Sequence, residues 1–241
     1  MAIKVFNRIE KKYLITKSDK RKVLKVIKEH MQHDDYYKSE VFNLYFDNDN
    51  FDLITQSIDW TDFKHKIRAR SYGGYDRVFI EIKTKIRDFE NNLGYKRRVM
   101  ITNKDFEEFI NGGVSIEELA SLAIETSNDL QIAKEIDYLM NINDLKPKIM
   151  VIYDRESYKN EDSLRITFDE NLRYRTNDLM FNSKKDGKMF FKNTPNIIME
   201  VKAQGVLPLW LVNVLSERHI YPQRFSKIGN IYQLIKKGQY V

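Results

Sequence analysis

The sequence predicts an α+β fold, a single domain over residues 1–241 in which helices cover a largely antiparallel sheet. Three observations carry that expectation. Seven short segments place charged or polar residues on alternate positions: Arg8, Glu10 and Lys12; Lys66, Arg68 and Arg70; Glu81, Lys83 and Lys85; Lys96 and Arg98; Tyr153, Arg155 and Ser157; Arg165, Thr167 and Asp169; Glu200 and Lys202. Alternate residues of a β-strand share a face, so each segment carries a polar face and an opposite one. The opposite face is often apolar, as in Val78, Ile80 and Ile82, in Leu164, Ile166 and Phe168, and in Ile197, Met199 and Val201. Turn residues separate several of these segments, and capped helical stretches lie between others.

In chain order, residues 3–15 read as a strand and 18–32 as a helix, with Ser18 and Asp19 as cap candidates. A strand follows at 39–47 and a short helix at 49–57. Strands 63–72 and 77–87 are joined through Gly73-Gly74, and Asn91-Asn92-Leu93-Gly94 turns into a strand at 94–101. Helices are expected at 103–111 behind Thr102 or Asn103, at 115–124 behind the Ser115 and Glu118 pair, and at 127–141. Strands 147–158 and 162–170 flank the Lys159-Asn160-Glu161-Asp162 turn, and residues 171–194 take no clear assignment. A strand at 196–203 and helices at 207–218 and 226–237 complete the chain.

Charged faces do not belong in a dry core. An open sheet would turn them to water, with helices on the apolar face; a closed barrel would turn them inward around a wet lumen, with helices outside. Eight strands suit closure. An inward set of Arg8, Lys12, Arg68, Arg70, Lys83, Lys96, Arg98, Arg155, Arg165 and Lys202 would repel itself unless a polyanion or counterions filled the space. Arginine recurs in it, and arginine binds phosphate through a planar fork while staying charged when partly desolvated.

Composition agrees. Hydrophobic residues make up 42% and charged residues 32%, and 41 Lys and Arg against 35 Asp and Glu give a net charge of +6, favourable to a polyanionic partner. The absence of cysteine excludes disulfides and thiolate metal sites and suits a cytoplasmic protein. No apolar run approaches the roughly 20 residues that span a bilayer, and no signal-peptide core is expected.

Taken together, Arg8-Ile9-Glu10-Lys11-Lys12-Tyr13, Lys66-Ile67-Arg68-Ala69-Arg70, Phe79-Ile80-Glu81-Ile82-Lys83-Thr84 and Lys96-Arg97-Arg98 follow one another in a distinctive order. Tyr153-Asp154-Arg155, Leu164-Arg165-Ile166-Thr167-Phe168-Asp169, Met199-Glu200-Val201-Lys202 and Arg224-Phe225-Ser226-Lys227 continue it. This series resembles the VTC polyphosphate polymerase domain, within the wider superfamily of triphosphate tunnel (CYTH-like) metalloenzymes. The resemblance implies an eight-stranded antiparallel β-barrel, or tunnel, with helices packed outside. It implies phosphate binding by Lys12, Arg68, Arg70, Lys83, Lys96, Arg155, Arg165, Lys202, Arg224 and Lys227, with Arg98 a further, less certain ligand. Glu200 matches the metal-binding glutamate, with Glu81 and Glu10 as second candidates for Mn²⁺ or Mg²⁺. The catalytic group expected on this basis is Lys12, Arg68, Arg70 and Glu200.

Phosphoryl transfer fits such a set, because it needs cations to spread charge over phosphate oxygens, a divalent metal bridging them, and alignment of nucleophile and leaving group. Oxygen ligands suit a hard cation better than zinc. Other features read as structural: His30 and His33 as surface residues, Trp60 and Trp210 as packing, Lys20-Arg21-Lys22 as a solvated helix face, and His219 without a role. The expected activity is transfer of the terminal phosphate of ATP to inorganic polyphosphate. Two alternatives are a tripolyphosphatase or nucleoside triphosphatase using water as acceptor, and a non-catalytic polyanion-binding module. Nucleic acid is not an expected partner, since a narrow lumen excludes duplexes and the basic residues are not interleaved with aromatics.

Overall fold

A computed structural model describes residues 8–59, 61–73, 76–87, 92–122, 127–161, 163–182 and 186–238. Residues 3–7 of the expected first strand, residues 123 and 124 of an expected helix, Trp60, and the turn residues Gly74, Asn91 and Asp162 lie outside the described residues. The elements run β1 (Arg8–Ile15), α1 (Lys17–His30), β2 (Gln32–Asp47), α2 (Asp52–Ile58), β3 (Phe63–Tyr72), β4 (Val78–Arg87), β5 (Asn92–Ile101), α3 (Asn103–Ile110), α4 (Ile116–Leu122) and α5 (Ser127–Ile142). They continue with β6 (Lys146–Lys159), β7 (Arg165–Arg175), β8 (Lys188–Met189), β9 (Ile197–Gln204), α6 (Leu209–Glu217) and α7 (Lys227–Lys236).

The fold is α+β, as expected, and every strand pairing with a recorded register is antiparallel. Strand order is β1-β9-β7-β6-β2-β3-β4-β5, with β8 beside β7. Among the described residues this hydrogen-bonded path ends at β1 and β5 and does not close, so the barrel is not established by backbone pairing.

The chain forms two compact units, to which β2, β6 and β7 each contribute residues. Unit 1 holds residues 1–40, 153–173 and 189–225. Its core is built from the apolar faces of β1 (Tyr13, Ile15), β7 (Ile166, Phe168) and β9 (Ile197, Met199, Val201), with Val23 and Ile27 of α1 and Leu211, Val214 and Leu215 of α6 packed on them. Unit 2 holds residues 41–152, 174–188 and 226–241. Here Leu44 and Phe46, Ile67 and Ala69, Val78, Ile80 and Ile82, and Val99 and Ile101 give one apolar sheet face, covered by Phe106 of α3, Ile116 of α4 and Ile132 and Ile136 of α5. In both units the period-two alternation is resolved in the same way, with apolar residues under helices and charged residues on the opposite face.

Local differences from the expected elements have physical causes. The N-cap of α1 is Thr16, whose Oγ1 accepts from the Asp19 amide while the Asp19 carboxylate accepts from the Thr16 amide, so Asp19 closes the capping box rather than capping the helix. The same reciprocal pair forms between Thr102 and Asp105, and between Ser115 and Glu118 as expected. Strand β2 starts at Gln32, seven residues earlier than its alternation predicts. That polar stretch is held by tertiary contacts within unit 1: Tyr37 stacks on His33 and donates to Glu156, and Asp34 pairs with Arg165 and Lys159. Strand β7 runs on to Arg175 because Leu172 and Tyr174 bury themselves beyond the charged segment.

Phe168→Ala, which empties a fully buried site in unit 1, is expected to cost roughly 3–5 kcal/mol. Thr102→Ala, which removes one half of a capping box in unit 2, is expected to cost about 1 kcal/mol. Urea denaturation of the two variants measures both values.

Candidate functional site

Each unit presents one charged sheet face, and the two differ in how their charge is balanced. In unit 2 the antiparallel register lines side chains up in rows across β2, β3, β4 and β5. Tyr45 lies opposite Arg68, Arg68 opposite Glu81, and Glu81 opposite Arg98. One step along, Lys66 lies opposite Lys83 and Lys83 opposite Lys96. On the other side of the first row, Asn43, Arg70, Phe79 and Met100 align. Thus β3, β4 and β5 bring the predicted residues Arg68, Arg70, Lys83, Lys96 and Arg98 onto one face.

Glu81 is the carboxylate at the centre of that face, only 2% exposed. Its Oε2 receives Arg68 Nε at 2.7 Å and Nη2 at 2.6 Å, and its Oε1 pairs with Lys96 Nζ at 2.5 Å. Burial pushes its carboxyl up, and the charges of Arg68, Arg70 and Lys96 outweigh burial and bring it down to about 2. For Lys96, burial and the nearby Arg68 and Arg70 prevail over the contact with Glu81, so its ammonium is pushed down. Arg70 Nε donates to Asn43 Oδ1 at 2.8 Å, Asn43 in turn donates to the Val151 carbonyl, and Arg98 stacks on the Phe79 ring at 4.6 Å. Arg68 and Arg70 are therefore anchored by hydrogen bonds, while the exposed Arg98 rests on an aromatic ring.

Tyr45 belongs to this face although its strand carries no charged triplet. Burial pushes the phenol up, yet the charges of Arg68, Lys66 and Arg70 overcome that effect and bring it down to about 8, with Arg68 Nη1 3.4 Å from the phenol oxygen. The sequence signal for Tyr45 and Asn43 is uncharged alternation: they share a face opposite Leu44 and Phe46.

In unit 1 the polar face comes from β1, β9, β7 and β6. Glu10 lies opposite Lys202 and Lys202 opposite Arg165; Lys12 lies opposite Glu200 and Glu200 opposite Thr167. Charges alternate between β1 and β9, while Lys202 and Arg165 on β9 and β7 are like charges. Lys12 Nζ is 3.3 Å from Glu10 and 3.9 Å from Glu200, and Lys202 Nζ is 4.0 Å from Glu10 and 2.5 Å from Glu200. Arg155 is bound to the fully buried Asp169 through Nε at 2.7 Å and Nη2 at 2.8 Å, and although burial opposes it, this pairing raises the guanidinium well above its ordinary value. Arg165 pairs with Asp34 at 2.8 Å. Predicted phosphate ligands on this unit thus already carry carboxylate partners. The segment before α7 crosses β1 at Lys12, where the Gln223 amide donates to the Lys12 carbonyl at 2.7 Å and Lys12 Nζ donates to the Phe225 carbonyl at 3.3 Å, which places Arg224 beside β1. Lys227 is the first residue of α7 and belongs to unit 2.

For a divalent cation the donor chemistry is that of Glu10 and Glu200, two carboxylates on one face sharing Lys12 and Lys202. Among the described residues no group of three His, Asp or Glu side chains could hold a metal. Two carboxylates suffice for Mg²⁺ or Mn²⁺ when substrate phosphates and water complete the shell. Glu81, of unit 2, has both its oxygens engaged by Arg68 and Lys96, as Glu10 and Glu200 each pair with Lys12 and Lys202.

Two measurements check these electrostatics. In the folded protein one phenol should titrate near pH 8, ahead of the other tyrosines, and should move up in Arg68→Ala; ultraviolet difference absorbance reads it, and the absence of any phenol titrating below about pH 9 contradicts the assignment. Because the folded-state carboxyl of Glu81 lies below its unfolded value, its contribution to stability is complete above about pH 4.5 and is lost as pH falls toward about 2. Denaturation across that window should show a shallower acid loss in Glu81→Gln, with a lower plateau at neutral pH because Arg68 and Lys96 lose their counter-charge.

Comparison with known proteins places this arrangement in a family. Residues 7–236 match the family model of the VTC domain. The chain is similar to vacuolar transporter chaperone complex subunit 4 of Trypanosoma brucei brucei, 27% identical over 220 residues that make up 80% of this chain and 28% of that protein. It is also similar to subunit 4 of Schizosaccharomyces pombe, 26% identical over 144 residues, 55% of this chain and 20% of that one. The chain therefore spans less than a third of the length of these curated relatives. Among solved structures, a Hippeastrum protein described as a candidate adenylyl cyclase with a dominant triphosphatase activity shares the fold, with a TM-score of 0.55, 13% identity and 97% coverage of both chains. By the match over nearly all its length, the chain belongs to the VTC domain family.

Proposed function

We propose that this protein binds a triphosphate and transfers the terminal phosphate of ATP to inorganic polyphosphate. The observation that carries the reading is the row of Lys66, Lys83 and Lys96 beside Arg68, Arg70 and Arg98, a concentration of positive charge with Glu81 as the carboxylate at its centre. Like charges directly opposite one another repel, and an anion of several negative charges would relieve that repulsion. The VTC family membership, and relatives named as subunits of a vacuolar transporter chaperone complex, are consistent with a polyphosphate-related role and with partner subunits. The proposal includes closure of the sheet into the eight-stranded tunnel that the family implies.

In this reading Arg68, Arg70, Lys83, Lys96 and Arg98 bind and orient phosphate oxygens, with Arg68 and Arg70 pre-positioned by Glu81 and Asn43. Lys12, Arg155, Arg165, Lys202, Arg224 and Lys227 are the remaining phosphate contacts. Glu10 and Glu200 would hold Mg²⁺ or Mn²⁺, which supplies charge neutralisation on the phosphate oxygens. A terminal oxygen of polyphosphate attacks the γ-phosphorus, the bridge to the β-phosphate breaks, and ADP leaves with the bridging oxygen. The protein's part is placement and charge, since a metaphosphate-like transition state asks for little covalent chemistry.

Incubating the purified protein with ATP and Mn²⁺ should yield long chains that a polyphosphatase digests, together with ADP; free phosphate as the sole product would instead make water the acceptor. Arg68→Ala and Lys202→Ala should each lower the rate by roughly 10²–10³ with the fold retained by circular dichroism. Glu200→Gln should raise the Mn²⁺ concentration needed for half-maximal rate, whereas unchanged metal dependence would remove Glu200 from the metal site.

A further inference from the structure

Within unit 1, α1 and α6 lie side by side over a common core and run in opposite directions. The first turn of α1 meets the C-terminal end of α6, where Asp19 accepts from Arg218 at 2.9 Å. The last turn of α1 meets the first turn of α6, where His30 stacks on Trp210 with ring centroids 4.6 Å apart. Both helices bury one face in the same apolar cluster, α1 through Val23 and Ile27, α6 through Leu211, Val214 and Leu215. Their opposite faces are consequently turned to the same side of the unit.

Those outward faces have complementary chemistry. On α1, Lys17, Arg21, Lys22, Lys25 and Lys28 are all exposed, and none makes an ion pair among the described residues. Glu29 is the exposed carboxylate on that helix. Helical spacing puts Arg21, Lys25 and Lys28 on one line opposite Val23 and Ile27. On α6 and the loop before it, Val206 is 85% exposed and Leu209 78%, with Val212 also exposed. A basic stripe thus flanks a small apolar tip.

We propose that this face docks unit 1 onto an anionic lipid bilayer, with the cations of α1 against headgroups and Val206 and Leu209 dipping into the headgroup boundary. Charge alone would suit any polyanion. The unpartnered aliphatic side chains beside the stripe favour a bilayer, because a soluble polyphosphate offers them nothing, whereas an interface gains from both charge and buried apolar surface. The contact proposed is peripheral; no helix among the described residues is long and apolar enough to cross a membrane.

The test is sedimentation of the whole chain with phosphatidylcholine vesicles, with or without about 30% phosphatidylserine, at about 0.1 M salt. Binding to the anionic vesicles alone is expected. The triple variant Arg21→Glu, Lys25→Glu, Lys28→Glu should weaken it roughly tenfold or more, and Val206→Ser with Leu209→Ser several-fold. Thermal unfolding should be unchanged, as every substituted residue is exposed, and Arg68→Ala should bind vesicles like the parent. No binding to anionic vesicles, binding insensitive to both sets, or binding lost in Arg68→Ala instead would overturn the proposal. So would a triple variant that loses affinity for inorganic polyphosphate but not for vesicles, which would make the stripe a polyanion track.

Discussion

Three lysines set side by side on neighbouring strands repel one another, and the sheet of unit 2 tolerates Lys66, Lys83 and Lys96 in register only with help. The help visible in the fold is Glu81, buried beneath the face and gripped by Arg68 and Lys96. The charges of Arg68 and Arg70 act on three neighbouring groups, alongside burial. Glu81 is brought down to about 2, Lys96 is pushed down despite its partner, and the Tyr45 phenol is brought down to about 8 against the opposing effect of burial. An anionic ligand that bound the face would stabilise the fold by mass action.

Unit 1 solves the same problem differently. Its β1 and β9 alternate Glu10, Lys12, Glu200 and Lys202 so that each charge has an opposite neighbour, and Arg155 is locked to Asp169. Such a face is closer to neutral and offers carboxylate oxygens to a cation, while the face of unit 2 offers guanidinium and ammonium groups to an anion.

Much of this was legible in the sequence because period-two alternation is a strong signal when one face is apolar. Arg68, Arg70, Lys83, Lys96 and Arg98 share the expected face, and nearly all helices and strands lie within a few residues of their predicted spans. What the sequence hid was pairing. Asp169 as the anchor of Arg155, Asp34 as the partner of Arg165 and Glu40 as the partner of Arg173 all depend on contacts across strands, which one-dimensional patterning does not encode. The early start of β2 was hidden for the same reason, since Tyr37 and Asp34 are held by residues more than a hundred positions away. Tyr45 and Asn43 were missed because attention to charge passes over neutral residues that charge surrounds.

We propose that the lysine row and its arginines bind phosphate. A crystal structure of the protein with a nonhydrolysable ATP analogue and Mn²⁺ tests it most directly. Phosphate oxygens are expected within hydrogen-bonding distance of Arg68, Lys83 and Lys96; a triphosphate bound elsewhere, with that row left to solvent, would overturn the proposal.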